Sequence, residues 1–167
     1  DWEQQGDIIL ATWNMNNDND YLGYVNSYAI NGDGTKVIGG AYQADLNTTN
    51  SGAVQAFQWS KKEPHAYLSN NDNSALTIWG GAEENPNNWK MNQIGPTLTG
   101  NSGSRFGSGV KLNANGSVMV VGARDENGMY AYKYINNSWS QLGSKITNSS
   151  YTNQGLPVTI NDDGNIV

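Results

Sequence analysis

Few side chains in this 167-residue sequence belong to the types that carry covalent or acid–base chemistry. His65 is the single histidine, set in Lys61-Lys-Glu-Pro-His65 with no serine or aspartate motif beside it. One imidazole supplies at most one general base and no histidine cluster for zinc. Cysteine is absent, which removes disulfides and thiolate metal sites but does not fix the redox compartment. Glu83-Glu84 pairs two carboxylates in sequence, yet chain neighbours do not define the opposed geometry that glycoside hydrolysis requires. The glycine-rich stretch Gly100-Asn-Ser-Gly103-Ser-Arg-Phe-Gly107-Ser-Gly109 lacks the Lys-Ser/Thr and the following helix of a phosphate loop. These absences point away from an enzyme.

The elements around them are read from composition. Asn occurs 25 times and Gly 20 times, while charged residues make up 14%. Asn and Gly tolerate positive φ, so the bias points to many short strands joined by tight turns. Runs of strong helix formers are missing. Six Trp and nine Tyr argue for a packed fold over a disordered one. A net charge of −6 with two arginines, Arg105 and Arg124, gives no electrostatic footing for a nucleic-acid partner. No apolar run approaches membrane-spanning length. Sequons at Asn47, Asn115, Asn136 and Asn148 are glycan acceptors if the chain passes through a eukaryotic secretory pathway.

Internal similarity is the strongest signal. From Trp89 the chain reads Ile94-Gly95, Leu98, Phe106-Gly107, Val110 and Leu112, a turn at Asn115-Gly116, then Val118-Met-Val-Val-Gly122-Ala123 and Tyr130-Ala-Tyr132-Lys-Tyr134. Trp139-Ser-Gln-Leu-Gly143 begins the next unit, with Val158, Ile160 and a turn at Asp163-Gly164. An earlier unit runs from Trp2 through Leu22-Gly23, Asp33-Gly34 and Gly39-Gly40-Ala41 to Trp59, and a degenerate copy covers Ala66 to Ala82. Ala41, Ala82 and Ala123 are spaced 41 residues apart. A period of roughly 40–50 residues with about four short strands per unit is the pattern of β-propeller blades. The Asp-Gly and Asn-Gly pairs read as type I′ hairpin turns, with both central residues at positive φ. Val118–Val121 reads as a strand buried on both faces, Gly-Ala as a crowded strand end, and the tyrosines as one aromatic face. The leading Trp of each unit is expected to pack between blades.

Trp139-Ser-Gln-Leu-Gly143, Phe106-Gly107 and Val120-Val-Gly-Ala123 resemble the FG-GAP-like propeller repeats, the group that includes the integrin α-subunit head. The resemblance spans nearly the whole chain and is weakest over residues 60–88. It implies antiparallel four-stranded blades, a location outside the cell or on its surface, and use in recognition or as a structural module. Calcium-binding repeats of that group carry an Asp-x-Asp-x-Asp-Gly loop. The nearest match here is Asn14-Met-Asn16-Asn-Asp18-Asn-Asp20, whose alternating oxygens suit a hard cation. It lacks the loop glycine and has two carboxylates, so a solvated loop is the preferred reading and Asn14, Asn16, Asp18 and Asp20 remain the calcium candidate. No other cofactor is expected.

The chain is therefore expected to be all-β, one repeat domain over residues 1–167 with about three and a half blades: 1–60, a degenerate 61–88, 89–138 and a truncated 139–167. Propellers typically close with 4–8 blades, so the chain is expected to be a segment of a larger ring or to be completed by other copies. The expected function is recognition of a protein or glycan partner through long polar connections such as 12–20, 42–50 and 60–74. The alternative is a structural building block of a filament, appendage or virion. A propeller hydrolase comes third.

Overall fold

Residues 27–61, 89–147 and 157–167 are described by the computed structural model. The chain divides into two compact units, one of Asp1–Ile9 with Trp59–Asn92 and one of Leu10–Gln58 with Gln93–Val167. Of the first, residues 59–61 and 89–92 are described; the rest of the description concerns the second. The degenerate copy, the Trp2 strand and the Gly80–Ala82 landmark lie outside the described residues.

Alternating and continuous apolar runs separated by turns give strands and little else. These are β1 (Tyr28–Ile30), β2 (Lys36–Ala41), β3 (Ala53–Lys61), β4 (Trp89–Gln93), β5 (Leu98–Thr99), β6 (Phe106–Leu112), β7 (Val118–Ala123), β8 (Gly128–Ile135) and β9 (Ser138–Thr147). A single 3-10 turn, Arg124–Glu126, interrupts them among the described residues. The fold is all-β. One sheet has the order β1-β2-β3-β4, with β5 paired to β3; the other has the order β6-β7-β8-β9. The described residues do not close into a ring.

Gly39-Gly40-Ala41 ends the second strand of the first sheet, and Gly122-Ala123 ends the second strand of the other. The crowding expected at these ends is present at Gly40, where a Cβ would lie 2.3 Å from the Gly107 carbonyl oxygen. That contact brings β2 under β6 and lets the two sheets pack face to face. Ile38, Val54 and Ala56 from one sheet meet Phe106, Val110, Met119 and Val121 from the other. Each large aliphatic or aromatic side chain so buried contributes about 1.5–3 kcal/mol. All of β7 is buried, as its apolar run requires. Tyr130, Tyr132 and Tyr134 pack on this core from one face of β8. Trp139 closes it at 6% exposure, and its indole N–H donates to the Ile94 carbonyl at 3.1 Å.

The turns differ from the type I′ expectation. Gly34, Gly116 and Gly164 have positive φ (74°, 64° and 76°), but Asp33, Asn115 and Asp163 do not. Each glycine instead completes a longer loop opened by an asparagine, in the manner of a type I turn followed by a left-handed residue. The N–H of Asn31 donates to Lys36 O (3.1 Å), that of Asn113 to Val118 O (3.0 Å) and that of Asn161 to Ile166 O (3.1 Å). Each asparagine side-chain oxygen then accepts an amide across the loop, from Lys36 (2.8 Å), Val118 (2.8 Å) and Ile166 (2.9 Å). Among the described residues, the one tight turn with two consecutive positive φ residues is Asn136-Asn137, between β8 and β9.

The three loops are also bonded to one another. Gly32 N–H donates to Ala114 O at 2.8 Å, and Ala114 N–H donates to Asp162 O at 3.3 Å. Gly32, Ala114 and Asp162 each follow the loop asparagine, so one position is linked to its counterpart in the next loop. Asn113 is 1% exposed and holds both Ser117 and Val118 amides. Asn113→Ala leaves these donors without their acceptor and should lower the unfolding free energy by about 1–3 kcal/mol. A urea midpoint unchanged from wild type would contradict this role.

Candidate functional site

The connection from β7 to β8 positions the chemically richest group of the described residues. Arg124–Glu126 forms the 3-10 turn, and Asn127 ends it at φ 50°, with its N–H on Arg124 O. This sets Glu126 four residues before Tyr130 on the strand that follows. The 101–105 loop comes over the same point because Ser104 is anchored in the first sheet. Its hydroxyl donates to Ser51 O at 2.7 Å, and its carbonyl accepts from Asp125 N–H at 3.2 Å. Part of the 42–50 connection supports that loop, with Gly103 N–H on Thr49 O (2.9 Å) and Arg105 N–H on Asn50 O (3.1 Å).

Three donors converge on the Glu126 carboxylate. Asn101 Nδ2 donates to Oε1 at 2.8 Å, the Tyr130 hydroxyl donates to Oε2, and Lys145 Nζ stands 3.5 Å from Oε2. Lys145 Nζ also donates to the Glu126 carbonyl at 3.2 Å. Partial burial alone would raise the Glu126 carboxyl. The bonds from Tyr130 and Asn101 and the charge of Lys145 outweigh it and hold the group below its ordinary 4.5. The reverse applies to the phenols. Burial, then Glu126, raises Tyr130 well above the tyrosine range; burial, then the Glu126 charge, pushes Tyr132 up to about 12.

Beside this group lies a cleft of about 180 Å³, lined by Thr99, Asn101, Glu126, Tyr130, Tyr132 and Gln141 among others. Phe106 forms its apolar floor and meets Tyr132 edge-on, with ring centroids 6.1 Å apart. Pockets enclosing drug-sized ligands run to roughly 300–1,000 Å³. This one admits a single small polar unit, such as one sugar ring or one side chain. Amide, hydroxyl and carboxylate groups on its wall match hydroxyl-rich ligands. A hard cation takes 6–8 oxygens, and the one carboxylate here is already engaged by three donors.

The glycine-rich stretch 100–109 leads into β6, not into a helix. Its glycines serve close packing: a Cβ on Gly100 would lie 2.2 Å from Ser104 Oγ, and one on Gly107 2.6 Å from Ala53 O. Asp125 pairs with Arg105 at 3.3 Å and with Arg124 at 3.9 Å, tying down both arginines of the chain. Asn14, Asn16, Asp18 and Asp20 lie outside the described residues, as do His65, Glu83 and Glu84. Sequence reasoning did not single out Asn101, Glu126 or Gln141. The one local signal was the four-residue spacing of Glu126 and Tyr130, which brings the pair together only because a 3-10 turn precedes the strand. Among the described residues, no helix is long and apolar enough to cross a membrane.

No family model matches the chain, and no curated protein matches it.

The site fixes a pH dependence. Glu126 has a lowered pKa in the fold, so its contribution is present above its unfolded value and is lost as pH falls through the folded one. The stability gap between wild type and Glu126→Gln should be widest near neutrality and close as pH falls below the ordinary carboxylate range. The raised phenols act in the opposite direction. Their contribution is complete below about pH 10 and is lost as pH rises through each folded value, about 12 for Tyr132 and higher for Tyr130. Tyrosinate absorbance during alkaline titration reads this directly, and Tyr132→Phe should delete a component ionising near 12.

Proposed function

We propose that the chain is a bladed β-propeller segment that recognises a partner without catalysis, with a glycan as the partner class that its cleft suits best. Two sheets of the same strand order, and three loops of one hydrogen-bond design linked in series, support the bladed reading. They agree with the resemblance to FG-GAP-like repeats, from which a place outside the cell or on its surface follows. The observation that carries the binding reading is the cleft beside Glu126. There Asn101, Gln141 and two tyrosines give a small, rigid recess of hydrogen-bonding groups on an aromatic floor. The half-buried Tyr130 and Tyr132 rings, packed on the buried Phe106, offer apolar surface to a sugar while the amides and the carboxylate meet its hydroxyls. Glu126 is oriented before any ligand arrives, which reduces the ordering cost of binding.

A second reading, a building block of a larger assembly, is favoured by exposed apolar residues on strands at both ends of the described fold. Tyr28 and Ile30 are 65% and 61% exposed, and Leu142 and Ile146 are each 40% exposed.

A glycan array probed with the intact chain should return a family of related saccharides. Asn101→Ala should weaken the best of them about fivefold, the loss of one hydrogen bond worth about 1 kcal/mol. Uniform absence of glycan binding, or full retention by Asn101→Ala, would set the glycan reading aside.

A further inference from the structure

Asn31 and Asn113 hold the same position in their loops, which sets the correspondence between the two sheets. Ala41 then matches Ala123, and across the strand pairs Ala53 matches Gly128, so Val54 and Ala56 match Met129 and Ala131. The neighbouring edge of each sheet agrees with this count. Val54 stands opposite Leu98, and Ala56 O accepts from Ile94 N–H at 2.8 Å; Met129 stands opposite Ile146, and Ala131 opposite Leu142. Gln93 Nε2 donates to Gly95 O at 3.2 Å, and Gln141 Nε2 donates to Gly143 O at 2.9 Å. The two glycines have φ 72° and 65°. Ile94-Gly95 and Leu142-Gly143 are one local structure made twice.

The two differ in what covers them. Over Ile94-Gly95 lies the hairpin of the second sheet. The Trp139 indole N–H donates to Ile94 O at 3.1 Å, and a Cβ on Gly95 would come within 2.8 Å of the indole and 3.5 Å of the Tyr134 ring. Tyr134 and Trp139 are cross-strand partners on β8 and β9, with ring centroids 4.9 Å apart. Leu142-Gly143 has no such cover. Among the described residues nothing lies within 4 Å of a Cβ built on Gly143, and Leu142 and Ile146 are each 40% exposed.

The face that carries this open place is already an interface at its other end. Val120, Ala131 and Leu142 are neighbours across three strands, so Val118 shares their side of the sheet. There Val158 is buried at 6% exposure, and a Cβ on Gly164 would lie 3.0 Å from Val118. Asn113 Nδ2 also donates to Asp162 O at 3.3 Å. Residues 157–167 thus take the place beside the second sheet that β6 takes beside the first, and leave Leu142-Gly143 open.

We propose that Leu142-Gly143 is a seat for tryptophan, through which the chain binds a partner protein that presents a β-hairpin with Tyr and Trp in cross-strand register, as Tyr134 and Trp139 are. The indole rests on Gly143 and donates to the Leu142 carbonyl, and the hairpin covers Ile146. A glycine recess flanked by aliphatic side chains suits a large flat ring with one polar N–H. The proposal rests on the bladed reading, through the correspondence between the sheets, and not on the glycan cleft.

The probe is a peptide of residues 132–141 of this chain, cyclised to hold the hairpin, titrated into the isotope-labelled chain. The backbone amide resonances of Leu142, Gly143 and Ile146 should shift saturably, and those of Asn101 and Tyr130 at the cleft should not. Replacing the peptide's Trp by Ala should abolish the shifts, and replacing it by Phe should weaken binding about fivefold through loss of the indole donor. In the chain, Gly143→Asn keeps the left-handed backbone, which Asn50, Asn127, Asn136 and Asn137 also adopt, but puts a side chain where the ring would lie. This variant should show wild-type circular dichroism and no peptide shifts. Absence of shifts in the wild type, or their persistence with Gly143→Asn or with the Ala peptide, would overturn the proposal. So would Gly143 shifts on diluting the chain alone, which would put a second copy on the seat. Slow amide exchange at Gly32 and Ala114 in a wild type that ignores the peptide would remove the seat and leave the succession of sheets standing.

Discussion

The fold depends on where three asparagine side chains put their carboxamide oxygens. A hairpin loop of four residues leaves amide donors facing inward, and burial without acceptors would cost about 1–3 kcal/mol each. Asn31, Asn113 and Asn161 meet those donors from within the loop. The backbone at Gly32 and Ala114 is thereby free to bond to the next loop, not to its own. The serial contact fixes the offset between successive hairpins. That offset seats Gly40 beneath Gly107 and sets Ile38, Val54 and Ala56 against the aromatic face of the second sheet.

From that offset follows the position of the cleft. Because the sheets are held face to face, the 101–105 loop is tied to Ser51 on one side and to Asp125 on the other. Asn101 then reaches Glu126, 25 residues away, and the carboxylate is organised by donors from three separate stretches of chain. Asn101 stands on the loop anchored by Ser104, Tyr130 on β8 and Lys145 on β9, and this prior orientation is the condition for preorganised recognition. The same packing explains why the glycines at 100 and 107 serve backbone approach and not phosphate chemistry.

Much of the sheet structure was legible in the residues. The unbroken run Val118–Val121 reports burial on both faces, the alternation at Tyr130, Tyr132 and Tyr134 reports a single aromatic face, and Trp139 marks a strand that seals the core. The Gly-Ala pairs at Ala41 and Ala123 sit at matching ends of matching strands, and at Gly40 the backbone of β6 comes close. The turns were located correctly and typed wrongly. Asp-Gly and Asn-Gly suggest a two-residue loop, but the decisive residue is the asparagine three positions before the glycine, whose side chain substitutes for a backbone acceptor. Of the Glu126 group, only the four-residue spacing to Tyr130 was a local signal. Its other partners are distant in sequence: Lys145 comes into range through the pairing of β8 with β9, and Asn101 through the loop that leads from the first sheet to the second.

Amide hydrogen exchange measured residue by residue by nuclear magnetic resonance gives the most direct test of the serial loop contact. Gly32 and Ala114 sit within loops, where amides ordinarily exchange almost as fast as in an unfolded chain. Both should instead exchange slowly, with protection approaching that of β7. Exchange at the open-loop rate at these two positions would contradict the linkage between successive hairpins and the arrangement of sheets that rests on it.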